Sequence, residues 1–202
     1  MSSDTDRVAH WFEAAETRPV GDSSVVLLAE LNTEGIQALS ASHWNDWAET
    51  VRSMYPHAES VFPLPAGSIA KLPERFASLD ALHKTVTGDA RRPVPLVSRR
   101  NKSGGHAVFW VPASLAWFEG HFPGHPVVPG VVLIGWAVES IRASQSRRER
   151  IDAFRQVKFQ RVVVPYTVLC LDWNIKDESI HFEFRSIEGV HGKAHLVVRS
   201  TS

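Results

Sequence analysis

Residues Trp117 to Val132 gather the chemistry-bearing residue types of this chain into one short stretch. It reads Trp117-Phe118-Glu119-Gly120-His121-Phe122-Pro123-Gly124-His125-Pro126-Val127-Val128-Pro129-Gly130-Val131-Val132. Proline fixes φ and restricts the residue before it, so a loop with three prolines is stiff. Such a loop holds His121 in place just ahead of an apolar stretch, Val131 to Arg142, that reads as a helix. Pro129-Gly130 falls where that helix begins, and a helix start offers unpaired N–H groups and a partial positive charge. Glycine there lets a ligand carbonyl approach the backbone with no Cβ in the way. A fixed histidine beside a backbone donor suits abstraction of a proton next to a carbonyl, with the donor stabilising the developing oxyanion.

The elements that must position this loop form two parts, divided at Thr87-Gly88-Asp89-Ala90-Arg91-Arg92-Pro93. In the first part, Val25 to Leu31 predicts a buried strand, with Asn32-Thr33 as cap chemistry for the helix that follows. Ile36, Leu39, Trp47, Val51 and Met54 recur near helical period, which predicts one helix ending before Pro56. Ser60-Val61-Phe62 predicts a second strand. Pro73 reads as the first turn of another helix with Leu72, Phe76, Leu79 and Leu82 on one stripe. In the second part, Pro95 to Val97 and His106 to Val111 flank Asn101-Lys102-Ser103-Gly104-Gly105, a hairpin signal. Val131 to Arg142 is apolar almost all round, which predicts a helix wrapped by other structure. Period-2 strands follow: one around Val157, Phe159 and Arg161, one with Leu169, Leu171, Trp173 and Ile175 on a face, one with Ile180, Phe182 and Phe184, and a last with Ala194, Leu196 and Val198. Asp177-Glu178-Ser179 reads as a turn. The expected fold class is α+β, an antiparallel sheet curled around a central helix and preceded by a small α+β unit.

The chain has 202 residues, 44% of them apolar and 22% charged, an ordinary globular composition that excludes wholesale disorder. Its 22 basic and 22 acidic residues balance. That balance argues against a general nucleic-acid or membrane-surface binder, either of which carries a basic excess. The single Cys170 excludes an internal disulfide and any multi-thiolate zinc site. No stretch reaches the length of a membrane span, and the N-terminus has no secretion-signal pattern, so a cytoplasmic protein is expected.

The segment Gly-His-Phe-Pro-Gly-His-Pro-Val-Val-Pro-Gly-Val-Val, residues 120–132, resembles the signature of the 3-hydroxyacyl-[acyl-carrier-protein] dehydratases of hot-dog fold. Lys158-Phe159-Gln160-Arg161-Val162-Val163-Val164-Pro165 resembles that family's strand after the helix. The resemblance covers residues 93–202, and Val131-Val132 with Trp136-Ala137 looks closest to the branch associated with aryl-polyene pigment synthesis. It implies His121 as the catalytic base and the Gly130 N–H as the donor that polarises the thioester carbonyl. Phe122, Pro123, Val128 and Pro129 would shape the substrate pocket. It also implies no cofactor, an acyl carrier protein as partner, and two sites built across a dimer, with an identical chain or another hot-dog subunit. The family's helix carboxylate lies five positions after the Gly of Pro-Gly, and here that position is Gly135. Losing such a group costs roughly 10²–10⁴ in rate. Glu139 lies one turn on, along the same face, where a long side chain could reach back over Gly135. It is equally read as the replacement of a polar residue with no catalytic part.

Residues 8–85 have a resemblance of their own. Phe62-Pro63-Leu64-Pro65-Ala66-Gly67-Ser68-Ile69-Ala70-Lys71-Leu72-Pro73 is similar to the end of an acyl-adenylating enzyme, whose small C-terminal subdomain this part resembles. Lys71 matches the lysine that contacts carboxylate and phosphate in such enzymes. Ala70 departs from the usual glycine, and the large nucleotide-binding domain has no counterpart in this sequence.

Other residues carry blander expectations. His125 reads as a loop-packing residue and Cys170 as a buried, inert thiol. No metal spacing joins His121 and His125, so no metal site is expected. Trp11, Trp44 and Trp47 read as packing. The cations at 99, 100, 102, 142, 147, 148 and 150 read either as a solvated face or as a rim that steers an acidic carrier. Two functional expectations stand side by side. One is dehydration of a 3-hydroxyacyl thioester to the trans-2-enoyl thioester by His121, Gly130 and Glu139. The other is a non-catalytic acyl-binding or partner subunit that lacks its acid at Gly135.

Overall fold

The computed structural model describes residues 8–101, 103–120, 124–144 and 150–199. The first part holds a three-stranded sheet of order β1-β2-β3. Strand β1 (Phe12–Val20) runs antiparallel to β2 (Ser24–Leu31), which runs parallel to β3 (Ser60–Pro65). The crossover between β2 and β3 carries two helices, α1 (Thr33–Ser40) and α2 (Trp44–Met54), where the periodicity predicts one. Ala41 ends α1 and the Ser42 hydroxyl donates back to the Ala38 carbonyl, so α1 is closed before α2 begins at Trp44. At the front of α1 the Asn32 side chain accepts from the Gly35 N–H, the capping its sequence predicts.

The helix predicted from Pro73 starts later. Helix α3 runs Leu79–Thr87, capped by the Ser78 hydroxyl on the Ala81 N–H. Upstream, the carbonyls of Ile69, Leu72 and Pro73 are taken by the guanidinium of Arg18, which is buried. The Glu30 carboxylate, also buried, accepts from the N–H groups of Gly67 and Ile69. Two buried charges thus hold residues 66–73 as a fixed loop around a single 3₁₀ turn, Ile69–Lys71. Backbone groups committed to those side chains are not free to enter a helical ladder. Strand β1 has no counterpart among the predicted elements; its Glu-Ala-Ala-Glu core lacks the β-branched pattern of a strand.

The second part is one six-stranded sheet of order β4-β5-β7-β8-β9-β6. Its strands are β4 (Val94–Asn101), β5 (Gly104–Trp110), β6 (Arg150–Phe159), β7 (Val168–Lys176), β8 (Ser179–Ser186) and β9 (Gly189–Arg199). Every neighbouring pair is antiparallel. Helix α4 (Gly130–Ser144) lies in the concave face. Leu133, Trp136, Ala137 and Ile141 of α4 pack there against Phe109, Leu169, Leu171, Phe182, Phe184 and Leu196. Burial alternates along β7 and β8 as their period-2 patterns predict.

The opposite face of β4, β5 and β7 is closed by the first part. Val94, Leu96, Val108, Trp110 and Val168 join one continuous core with Leu28, Trp47, Val61 and Phe62. Trp110 meets Trp44 at 5.0 Å and Phe62 edge-on at 4.8 Å between ring centroids. Trp11 stacks on Trp47, so the tryptophans pack as their sequence reading predicts. Among the described residues no helix is long and apolar enough to cross a membrane.

Candidate active site

Helix α4 does not have all its faces covered. Val131, Gly135 and Glu139 form a single exposed stripe along its length, with Val131 72% exposed. The apolar all-round pattern of its sequence predicts a wholly wrapped helix, and within one chain that expectation fails on this stripe. Phe154, Val157, Phe159, Val162 and Val164 are also exposed and apolar, on β6 and the segment after it. Strand β6 stands at one edge of the sheet, so its outer backbone edge pairs with no other strand among the described residues.

The start of α4 is fixed from the following strand region. The Val128 N–H donates to the Val163 carbonyl at 2.8 Å, and both valines are buried. Buried His191 holds the Val163 segment in turn. Its Nδ1 lies 2.9 Å from the Val162 carbonyl and its Nε2 lies 2.7 Å from the Ser186 hydroxyl. The Ser186 Oγ accepts the Glu188 N–H. This assigns Nδ1–H as donor and Nε2 as acceptor of the serine proton in the neutral ring. Burial pushes the His191 pKa below its ordinary value, against the opposing backbone hydrogen bond to Val162. His191 stood outside every sequence motif. Its role is visible only once β8, β9 and the Val162 segment are placed together.

Gly130 opens α4, and its N–H has no acceptor among the described residues. A Cβ there would lie 2.8 Å from ring carbons of Phe159, so this position has no room for a side chain unless Phe159 moves. At Gly135 the reverse holds: a Cβ would meet nothing within 4 Å among the described residues. The first glycine is required by close packing, and the second leaves a clearing on the exposed stripe.

Glu139 stands at the end of that stripe, and its carboxylate is 3.5 Å from the Arg92 guanidinium. Its side chain is 58% exposed, so the pair is worth at most about 1 kcal/mol. Glu139, Trp136 and Arg142 line a cavity of about 560 Å³ with Pro93, Pro95 and Phe109. The residue immediately before the helix, Pro129, is half-buried. His125 is exposed, so it does not pack the loop within a single chain. His121, Phe122 and Pro123 lie outside the described residues.

The other expected groups fall elsewhere. Lys71 is exposed on the first part, at the end of the 3₁₀ turn. Arg100 donates to the Ala143 carbonyl at 2.6 Å and closes the C-terminal end of α4, a structural use for one of the basic residues. Cys170 is partly buried on the outer face of the sheet, and burial raises its thiol pKa, as expected of an inert cysteine. Among the described residues, no group of three His, Cys, Asp or Glu side chains is placed to hold a metal.

The family-model match falls on the second part. Residues 98–195 match the ApeI-like family model, described as ApeI dehydratase. A 3-hydroxyacyl-[acyl-carrier-protein] dehydratase FabZ of Clostridium acetobutylicum is 37% identical over 65 residues, 29% of this chain and 46% of the relative. Its namesake in Geotalea uraniireducens is 33% identical over 89 residues, 40% of this chain and 58% of the relative. The chain thus spans about half the length of the curated relatives it matches. Among solved structures, the dehydratase heterocomplex ApeI:P from Xenorhabdus doucetiae aligns with a TM-score of 0.50 at 21% identity, over 53% of this chain and 97% of that one. The sheet order, the enclosed helix and the structural match agree on a hot-dog fold for the second part, and residues 98–195 are similar to the ApeI-like dehydratase family.

Proposed function

We propose that this chain dehydrates 3-hydroxyacyl thioesters to trans-2-enoyl thioesters. The substrate would be carried on an acyl carrier protein, in fatty-acid or aryl-polyene-type biosynthesis. His121 takes the Cα proton. The Gly130 N–H, without an acceptor among the described residues at the start of α4, holds the thioester oxygen as negative charge develops on it. The C3 hydroxyl leaves as water with a proton from a carboxylic acid, and the proton on His121 then restores that acid. Proton transfer alone completes the reaction. Phe122, Pro123, Val128 and Pro129 border the acyl thioester. Glu139 is the carboxylate of this chain nearest in sequence to the empty family position. A rotation away from Arg92 would carry it toward the clearing at Gly135.

The single observation that carries the reading is the Gly130 N–H, unclaimed among the described residues, behind the Gly-His-Phe-Pro-Gly segment in a domain similar to the ApeI-like dehydratases. A second reading has an observation of its own. The clearing at Gly135 and the engagement of Glu139 by Arg92 fit a subunit whose acid arrives from another hot-dog chain, docked on the exposed apolar stripe. Mass spectrometry of 3-hydroxyacyl-carrier-protein separates the two. Water loss with wild type and with neither His121→Ala nor Glu139→Gln supports the self-sufficient enzyme. Water loss that persists in Glu139→Gln, or that needs a second hot-dog subunit, supports the partner reading. No water loss on short, long or aryl chains under any of these conditions contradicts both.

A further inference from the structure

Resting on the dehydration proposed above, we propose that the segment joining the two parts of the chain builds a site for the far end of the acyl chain, and so sets which chain lengths are accepted. The cavity beside Glu139 encloses about 560 Å³, within the range of small-molecule sites. Phe109 and Trp136 line it from the six-stranded sheet and α4, and Val86, Pro93 and Pro95 line it from the joining segment. The family-model match begins at residue 98, so these three residues lie outside the matched stretch. Proline fixes φ, so the wall made by Pro93 and Pro95 is stiff.

The lining selects an apolar occupant, because most of its polar groups are already engaged. Glu139 is paired with Arg92 at 3.5 Å. The Thr87 hydroxyl donates to the Asp89 carbonyl at 2.7 Å, and the Ser140 hydroxyl donates to the Trp136 carbonyl at 2.8 Å. Ser98 and Arg142 are exposed to water. A polar ligand entering here gives up hydration for few free partners, whereas a hydrocarbon gains by leaving water. Position then selects the tail of the acyl group. Trp136 and Glu139 lie six and nine residues beyond Gly130 on the same helix, about 9 Å and about 13.5 Å along its axis, with the clearing at Gly135 between. Carbon–carbon bonds of about 1.5 Å advance roughly 1.25 Å each in an extended chain, so a tail whose thioester oxygen is held at Gly130 reaches the cavity after about seven bonds. A butanoyl group stops short of it, and a dodecanoyl group enters.

Dodecanoyl-pantetheine and butanoyl-pantetheine are the probes, titrated by calorimetry into the full chain. Both lack the 3-hydroxyl, so neither can be dehydrated and binding is read without turnover. Dodecanoyl-pantetheine should bind at least tenfold more tightly, as burial of several methylenes requires. Ser98→Trp on β4 and Ala143→Trp on α4 each fill the cavity from an exposed lining position away from Gly130. Each should lower dodecanoyl affinity about tenfold and leave butanoyl affinity and the thermal transition as in wild type. Two variants on different elements keep the test decisive if one fails to fold. The proposal is overturned if wild type binds the two probes equally, if it binds neither, or if the folded variants keep the wild-type preference. The reaction is read separately, by mass spectrometry of 3-hydroxybutanoyl- and 3-hydroxydodecanoyl-carrier-protein. Chain-length discrimination that the variants abolish, with no water loss from either substrate, supports the cavity and contradicts the reaction. Equal water loss from both substrates, with equal binding of both probes, supports the reaction and overturns the cavity.

Discussion

The two flanks of the six-stranded sheet treat apolar surface in opposite ways. On the β4-β5-β7 flank the first part of the chain covers the sheet, and Leu96, Val108 and Trp110 are almost wholly buried. On the β6 flank Phe154, Val157 and Phe159 stay exposed, as do Val131 on α4 and Val162 beyond the strand. Monomeric proteins rarely leave contiguous apolar surface of that kind uncovered. The difference teaches where the chain is finished and where it is not. The covered flank is complete within one molecule. The open flank, which carries Gly130, Gly135 and an unpaired strand edge, has the character of a surface made for a second molecule.

The sharpest way to break this comparison is at the chemistry. His121→Ala should lower dehydration by roughly 10²–10⁴ while leaving the thermal transition in place, measured by mass spectrometry and by circular dichroism on one preparation. Stability should respond on the other flank. Trp110→Ala empties a buried, aromatic-lined position and should cost about 3–5 kcal/mol in urea denaturation, whereas Phe159→Ala, half-exposed, should cost well under half of that. Equal costs would erase the distinction between the flanks.

His191 tests how firmly the open flank's inner edge is held. His191→Phe strands the Val162 carbonyl and the Ser186 hydroxyl and should cost about 1–3 kcal/mol. Because the folded pKa of His191 is depressed, the unfolded chain binds the extra proton. Its contribution is therefore fully present above the ordinary histidine pKa of about 6.5 and is lost as pH falls from there through the folded value. Denaturation curves at a series of pH values should show this dependence in wild type and not in His191→Phe.

The smallest effect belongs to Asp172, on the outer face of the sheet. Burial pushes its pKa up, but hydrogen bonds from Arg185 and His106 outweigh burial and leave it lowered. The stabilisation is present above the unfolded aspartate pKa of about 3.9 and lost as pH falls through the lower folded value. The side chain is 39% exposed, so Asp172→Asn should change stability by no more than about 1 kcal/mol at neutral pH and should remove the acid-side loss.

Much of this organisation was legible in the residues themselves. The period-2 faces of β7 and β8, the hairpin at 101–105, the Asn32 cap and the helix after Pro129 follow from local pattern. The parts that escaped are those decided by distant partners. The helix expected from Pro73 is replaced by a fixed loop because Arg18, from a strand earlier in the chain, claims the carbonyls of Leu72 and Pro73, while Glu30 holds the Gly67 and Ile69 N–H groups just upstream. Strand β1 forms because β2 offers it a partner, not because its own sequence favours extension. The apolar ring around α4 looked uniform, and only the assembled sheet separates the buried side at Ala137 from the open stripe at Val131. At the site, Gly130 and Gly135 are the same letter in the sequence. Phe159 crowds one, and no described residue comes within 4 Å of a Cβ built on the other, a distinction that no local pattern contains.

Resting on the proposed dehydration, we propose that the open flank works only when a second molecule covers it. The most direct measurement is dehydration of 3-hydroxyacyl-carrier-protein per chain across a dilution series, for wild type and for Val131→Asp, with association state followed by sedimentation on the same samples. A charge at the 72%-exposed Val131 leaves the chain's own core untouched but opposes docking on the stripe. The account predicts that turnover per chain falls as wild type dissociates, and that folded Val131→Asp is monomeric and inactive. Turnover per chain that is constant on dilution and unchanged in a monomeric Val131→Asp would contradict it.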